Sequence, residues 1–131
     1  MWPFRRRRRA APTGTLRVGE HRSDPDDYRV WTVSESRHPD AFEALWAEAT
    51  PSEHDGRVLR RWATLVPIRD PRFGVADVAV QFNGQTACYL RPPHLGAAAR
   101  RAEAERVASL EVPALIERSP AGATVRLILP D

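Results

Sequence analysis

The chain has 131 residues, 20 of them basic and 17 acidic, with a net charge of +3 and 42% hydrophobic residues, which suits one domain with a single core. Cys88 is the only cysteine, so an intrachain disulfide and a cysteine-ligated zinc centre are excluded, and a reducing, cytoplasmic setting is expected. No apolar run approaches the length of a transmembrane helix, and no membrane span is expected.

All the basic residues are arginine, and five are consecutive: Arg5, Arg6, Arg7, Arg8 and Arg9. Taking those five from the 20 leaves 15 basic residues against 17 acidic ones, so the basic character belongs to the N-terminal segment. Residues 1–26 combine that run with Pro, Gly and a polar stretch. They read as a basic, disordered tail, with the domain occupying 27–131. The run reads either as a solubilising arm or as a set of phosphate contacts for nucleic acid or anionic lipid. It has no apolar segment behind it, so a secretory signal is not expected.

Residues 28–35 alternate, with Tyr28, Val30 and Thr32 on one face and Arg29, Trp31 and Val33 on the other, which predicts a strand. Phe42, Leu45, Trp46 and Ala49 then recur at helical spacing, with Pro39 at the start and Pro51 as the stop. Residues 57–68 form the next predicted strand, in which Arg60 and Arg61 point to opposite faces. Asn83-Gly84 predicts a type I′ hairpin, since both residues tolerate positive φ. A plain two-residue loop would set Phe82 opposite Gln85, Val80 opposite Ala87 and Val78 opposite Tyr89. Residues 95–108 are rich in Ala and Arg and read as a second helix with a shallow apolar face. Strands at 111–118 and 123–129 flank Ser119-Pro120-Ala121-Gly122. The order β-α-β-β-β-α-β-β has too few crossovers for a parallel sheet. It predicts a mainly β, α+β fold: a small, partly open antiparallel barrel of five to six strands with two helices, the barrel type that the resemblance below describes as OB-like.

Three segments in this order resemble the HIRAN domain, an OB-like barrel of DNA repair and remodelling helicases that also occurs alone in bacteria. Val33-Ser34-Glu35-Ser36-Arg37-His38 resembles a V-G-E-S-like run followed by two bulky residues. Residues 65–80 begin Leu65-Val66-Pro67-Ile68 and end Ala76-Asp77-Val78-Ala79-Val80, resembling L-x-P-E-x-x-N-P-x-D-x-N-A-V-A-V. Residues 83–90 resemble D-G-x-x-V-G-Y-L. The resemblance covers about 28–129 and implies a domain that captures single-stranded DNA 3′ ends by aromatic stacking and a carboxylate on the terminal hydroxyl. Here the ungapped loop places Phe73 at the aromatic position and Gly74 at the acidic one, Arg37-His38 replace an aromatic pair, and Cys88 replaces the glycine before Tyr89.

These readings nominate Arg37, His38, Phe73, Tyr89 and Arg91 as nucleic-acid contacts, with Arg5–Arg9 adding phosphate contacts. Phe73 reads equally as a loop anchor or as an exposed stacking platform, and Tyr89 as core or base-stacking. His21, His38, His54 and His94 are scattered, no two at metal-ligand spacing on a helix, so no metal, cofactor or catalytic residue is expected. The expected function is non-catalytic, weak binding of single-stranded DNA or DNA ends. The alternative is a protein–protein interaction module that kept the HIRAN-like fold but lost end recognition.

Overall fold

The computed structural model describes residues 11–130. Seven strands are present: β1 (Thr15–Arg17), β2 (Val30–Val33), β3 (Val58–Asp70), β4 (Gly74–Phe82), β5 (Gln85–Leu90), β6 (Ser109–Ser119) and β7 (Gly122–Leu127). The helices are α1 (Pro39–Ala47), α2 (Pro51–Gly56) and α3 (Pro92–Ala104). The order β6-β3-β4-β5-β2-β7 closes on itself through a β6–β7 pairing, so six antiparallel strands form a barrel. β1 adds in parallel to the outer edge of β6.

Alternation along each strand fills the interior. Leu59, Ala63 and Leu65 of β3, Val78 and Val80 of β4, and Leu110, Val112, Ala114 and Ile116 of β6 are all buried in one core. Closure rests on β2, the shortest barrel strand. It pairs through Thr32–Leu90 and Val33–Tyr89 on one side and through Val30–Leu127 and Trp31–Arg126 on the other. Pro113 sits in the middle of β6 where its missing N–H costs nothing. On that edge β1 has just ended at Glu111 and β7 begins pairing at Ala114.

Four features differ from the sequence expectation. First, residues 11–26 are not a free tail. β1 pairs Thr15 with Ser109 and Arg17 with Glu111, and Val18 is buried. The sequence signal was hidden because this strand has only three residues and uses backbone pairing, not apolar alternation. Second, Pro51 stops α1 but also starts α2. Thr50 caps the backbone of Glu53, whose carboxylate accepts from the Thr50 N–H, a reciprocal capping box. The described residues therefore hold three α-helices.

Third, α3 begins at Pro92, since consecutive prolines suit the first helical turn, whose N–H groups have no partner within the helix. It ends with Arg106 in the left-handed region, the Val107 N–H bonding to the Ala102 carbonyl. Its buried Ala98 and Ala102 let it approach the sheet closely, against β4. Fourth, the Asn83-Gly84 turn forms with φ of 51° and 80°, as a type I′ turn requires, but a bulge follows. Phe82 does face Gln85, whereas Val80 faces Cys88 and Ala79 faces Tyr89. The slip leaves both Ala87 and Cys88 buried and removes Tyr89 from the Val78–Val80 row.

Arg60 and Arg61 do point apart. Arg61 donates to both carboxylate oxygens of Glu53 at 2.6 and 3.0 Å, tying α2 to β3. That fork, helped by the Thr50 backbone N–H, pulls the Glu53 carboxyl down to about 2. Arg60 turns outward and donates to the carbonyls of Arg22 and Ser23 at 3.0 and 2.8 Å.

Candidate nucleic-acid interface

The outer surface of the barrel has two unlike faces. Over β3 and β6, the outward side chains are Arg60, Trp62, Pro113 and Leu115, brought together by the Arg60–Leu115 and Trp62–Pro113 pairings. Residues 18–28 cover them. Tyr28 is fully buried, its phenol oxygen 2.8 Å from His21 Nδ1 and accepting from the Arg22 N–H at 3.1 Å. The His21 ring stands edge-on to Trp62 with centroids 5.0 Å apart, and the Arg17 guanidinium lies 4.1 Å from the centroid of the Trp62 ring. Burial and the neighbouring Arg60, Arg17 and Arg61 charges push His21 below its usual pKa, so it favours the neutral form.

Over β2 and β5 the surface is open. The Arg29, Trp31, Val33 face read from the alternation turns outward, with Trp31 47% and Val33 37% exposed. Tyr89 faces Val33 across the β2–β5 pairing, so it stands on the same side. Trp31 and Tyr89 are then diagonal cross-strand neighbours, a separation of about 7–8 Å between backbone positions. The chain turns at Ser34, whose φ of 68° is left-handed, and a single turn of 3-10 helix carries Arg37 and His38 back toward β5. The His38 ring reaches within 5.6 Å of the Tyr89 ring, tilted by 53°. Arg91, directly after β5 at the start of α3, is exposed, as is Arg37. Among the described residues neither has a carboxylate partner.

Arg126 was not singled out by sequence reasoning. Its guanidinium lies 5.1 Å from the centroid of the Trp31 ring while bonding to Glu117 and donating to the Pro25 carbonyl. It therefore holds the indole in place and ties residues 18–28 to the edge of the open face. Trp31 was assigned to the correct face but not to a site; its parity with Arg29 was the available signal.

Phe73 is separate from this strip. It sits at the tip of the β3–β4 hairpin and is 82% exposed, which settles its environment as solvent and not core. Along β4 it is six residues from Ala79, the partner of Tyr89, or about 20 Å at the rise of an extended strand. The acids near this tip are already used locally: Asp70 accepts from the Arg72 N–H and Asp77 from the Val78 N–H. Arg5–Arg9 lie outside the described residues. Cys88 points into the core and burial raises its thiol to about 12, which leaves it un-ionised and unreactive at neutral pH.

Among the described residues, no group of His, Cys, Asp and Glu is clustered so as to hold a metal ion. No helix in the described residues is long and apolar enough to cross a membrane. Compared with protein-family models, curated proteins and solved structures, the chain finds no match in any of the three.

Proposed function

We propose that the protein is a non-catalytic, HIRAN-like module that binds single-stranded nucleic acid along the open face of β2 and β5. The observation behind the reading is the grouping there of the exposed Trp31 ring with the half-buried Tyr89 and His38 rings, flanked by the exposed Arg37 and Arg91. Bases can stack on any exposed ring, while unpaired guanidinium groups attract phosphate, so sequence-tolerant binding needs little more. The left-handed backbone at Ser34 also agrees with the resemblance to HIRAN domains, because the resembling motif carries glycine at that position.

In this reading the strand's end is not recognised. Gly74 brings no carboxylate, and Asp70 and Asp77 are occupied by backbone N–H groups. The test is titration of short DNA single strands with free or blocked 3′ ends, at several salt concentrations, using the full chain and a chain lacking residues 1–10. Five tail arginines contribute up to roughly −3.5 to the log–log salt slope, at about −0.7 per neutralised phosphate. Blocking the 3′ hydroxyl leaves affinity unchanged, and binding without the tail is weaker but measurable. A strong preference for free 3′ ends contradicts the reading.

A second reading, a protein-interaction module, is favoured by one observation. Ile68 and Phe73 are 44% and 82% exposed on the projecting β3–β4 hairpin, an apolar tip suited to a protein partner. Absence of nucleic-acid binding by either chain selects it.

A further inference from the structure

A cleft of about 680 Å³ lies between α1 and the β6–β7 turn, apart from the open face. Its size falls within the range of small-molecule sites. Phe42 and Trp46 of α1 supply apolar wall, and the opposite wall is the small residues Ala121, Gly122 and Ala123. The gap between is therefore bounded by aromatic side chains on one side and by a low, nearly featureless surface on the other, a shape that admits a flat ring.

Polar groups stand at its margins. The Arg118 guanidinium lies 5.6 Å from the centroid of the Trp46 ring, and among the described residues it has no carboxylate partner. The His54 ring is tilted against Trp46, with centroids 5.8 Å apart. Toward the start of α1 the cleft is bordered by Glu35 and Glu43. Glu35 accepts a hydrogen bond from the Thr32 hydroxyl at 2.6 Å, which holds its carboxylate in place. Trp46 is 6% exposed, and among the described residues its indole N–H finds no acceptor. A buried donor left unpaired is unfavourable, so Trp46 is the least well satisfied group of this wall.

We infer that this cleft binds a small aromatic carboxylate bearing a hydrogen-bond donor at its far end, such as a hydroxybenzoate. The carboxylate pairs with Arg118, the ring lies against Phe42 and Trp46, and the distal hydroxyl donates to Glu35 or Glu43. A purely anionic ligand is disfavoured by the two glutamates, and a neutral phenol leaves Arg118 unused. The inference is independent of nucleic-acid binding, because it uses neither the open face nor the tail.

The experiment is titration of the full chain with 4-hydroxybenzoate, followed by the indole N–H signals of the four tryptophans, with phenol and benzoate as comparisons. The signal missing from Trp46→Phe identifies Trp46. That signal is expected to move with a dissociation constant on the order of 1 mM, as suits a ligand of this size. Arg118→Gln weakens binding about tenfold, with Arg118→Lys intermediate, and phenol and benzoate each bind more weakly than 4-hydroxybenzoate. No movement of the Trp46 signal at about 10 mM ligand, equal binding by Arg118→Gln, or equal binding of phenol would each overturn the inference.

Discussion

The two outer faces of the barrel carry similar residues and do different jobs. Trp31 of β2 turns outward two residues after Arg29; Arg60 and Trp62 of β3 turn outward with the same spacing. Over β3, residues 18–28 lie on the sheet and polar groups hold them there: Arg60 holds the carbonyls of Arg22 and Ser23, and Tyr28 is buried against His21. Over β2 no segment of the described residues lies on the strand, and Trp31 is about half exposed with Arg126 against its ring. An Arg–Trp alternation is thus a stability element where the chain returns to cover it and a candidate binding surface where it does not.

The largest expected effect breaks the covered face. Tyr28→Ala removes a fully buried ring and its hydrogen bonds, costing about 3–5 kcal/mol and lowering Tm by roughly 10 °C or more. Deleting residues 1–26 should be at least as damaging, since it also removes β1. Calorimetry checks both, and a loss of only a degree or two would mean the cover is not part of the folded core.

The two tryptophans sharpen the comparison. Trp62→Ala should cost about 2–3 kcal/mol, because it removes contacts to both Arg17 and His21. Trp31→Ala should stay within about 1 kcal/mol, since the indole is half exposed and loses chiefly its contact with Arg126. Denaturant titration of the pair would contradict the assignment if the order were reversed.

Acid should loosen the covered face first. The folded-state pKa of His21 is depressed, so the native state binds fewer protons there than the unfolded chain. Its contribution is complete above the ordinary value of 6.5 and is lost as pH falls through the lowered value. His21→Gln should flatten that limb of the stability profile. Glu53 acts in a separate window, losing its contribution between its ordinary 4.5 and about 2, and Glu53→Gln should remove only that lower limb. Thermal melts from pH 8 to 3 separate the two.

The smallest effect concerns the turn that leaves the open face. Ser34→Gly relieves a left-handed serine and should stabilise the fold by about 0.5–1 kcal/mol. Equal or lower stability in urea would mean that the serine side chain compensates its backbone.

Much of the barrel was legible because its cues are local. Alternation located the strands at 28–35 and 57–68, and the turn signals Asn83-Gly84 and Ser119–Gly122 located the two hairpins. The bulge between Val80 and Gln81 was not legible, since a one-residue slip depends on which of Ala87 and Cys88 packs best inside. β1 was hidden by its brevity. Of the proposed contacts, Arg37, His38, Tyr89 and Arg91 are carried by β2, β5 and the turns that follow them. Phe73 stands apart on the hairpin tip, because contiguity in a motif says nothing of how far a long hairpin projects. Arg126 could not be found from sequence, as its partner Trp31 is 95 residues away and meets it only through barrel closure.

The most direct test of the open face is fluorescence anisotropy of a labelled short DNA single strand at fixed salt. The chains compared are the parent, Trp31→Ala, Tyr89→Ala and Phe73→Ala, all lacking residues 1–10 so that tail phosphate contacts do not mask the barrel. Full stacking is worth about 1–3 kcal/mol per base, so Trp31→Ala and Tyr89→Ala should each weaken binding roughly five- to hundredfold, with Phe73→Ala close to the parent. Unchanged affinity in the first two variants, or loss confined to Phe73→Ala, would contradict the account.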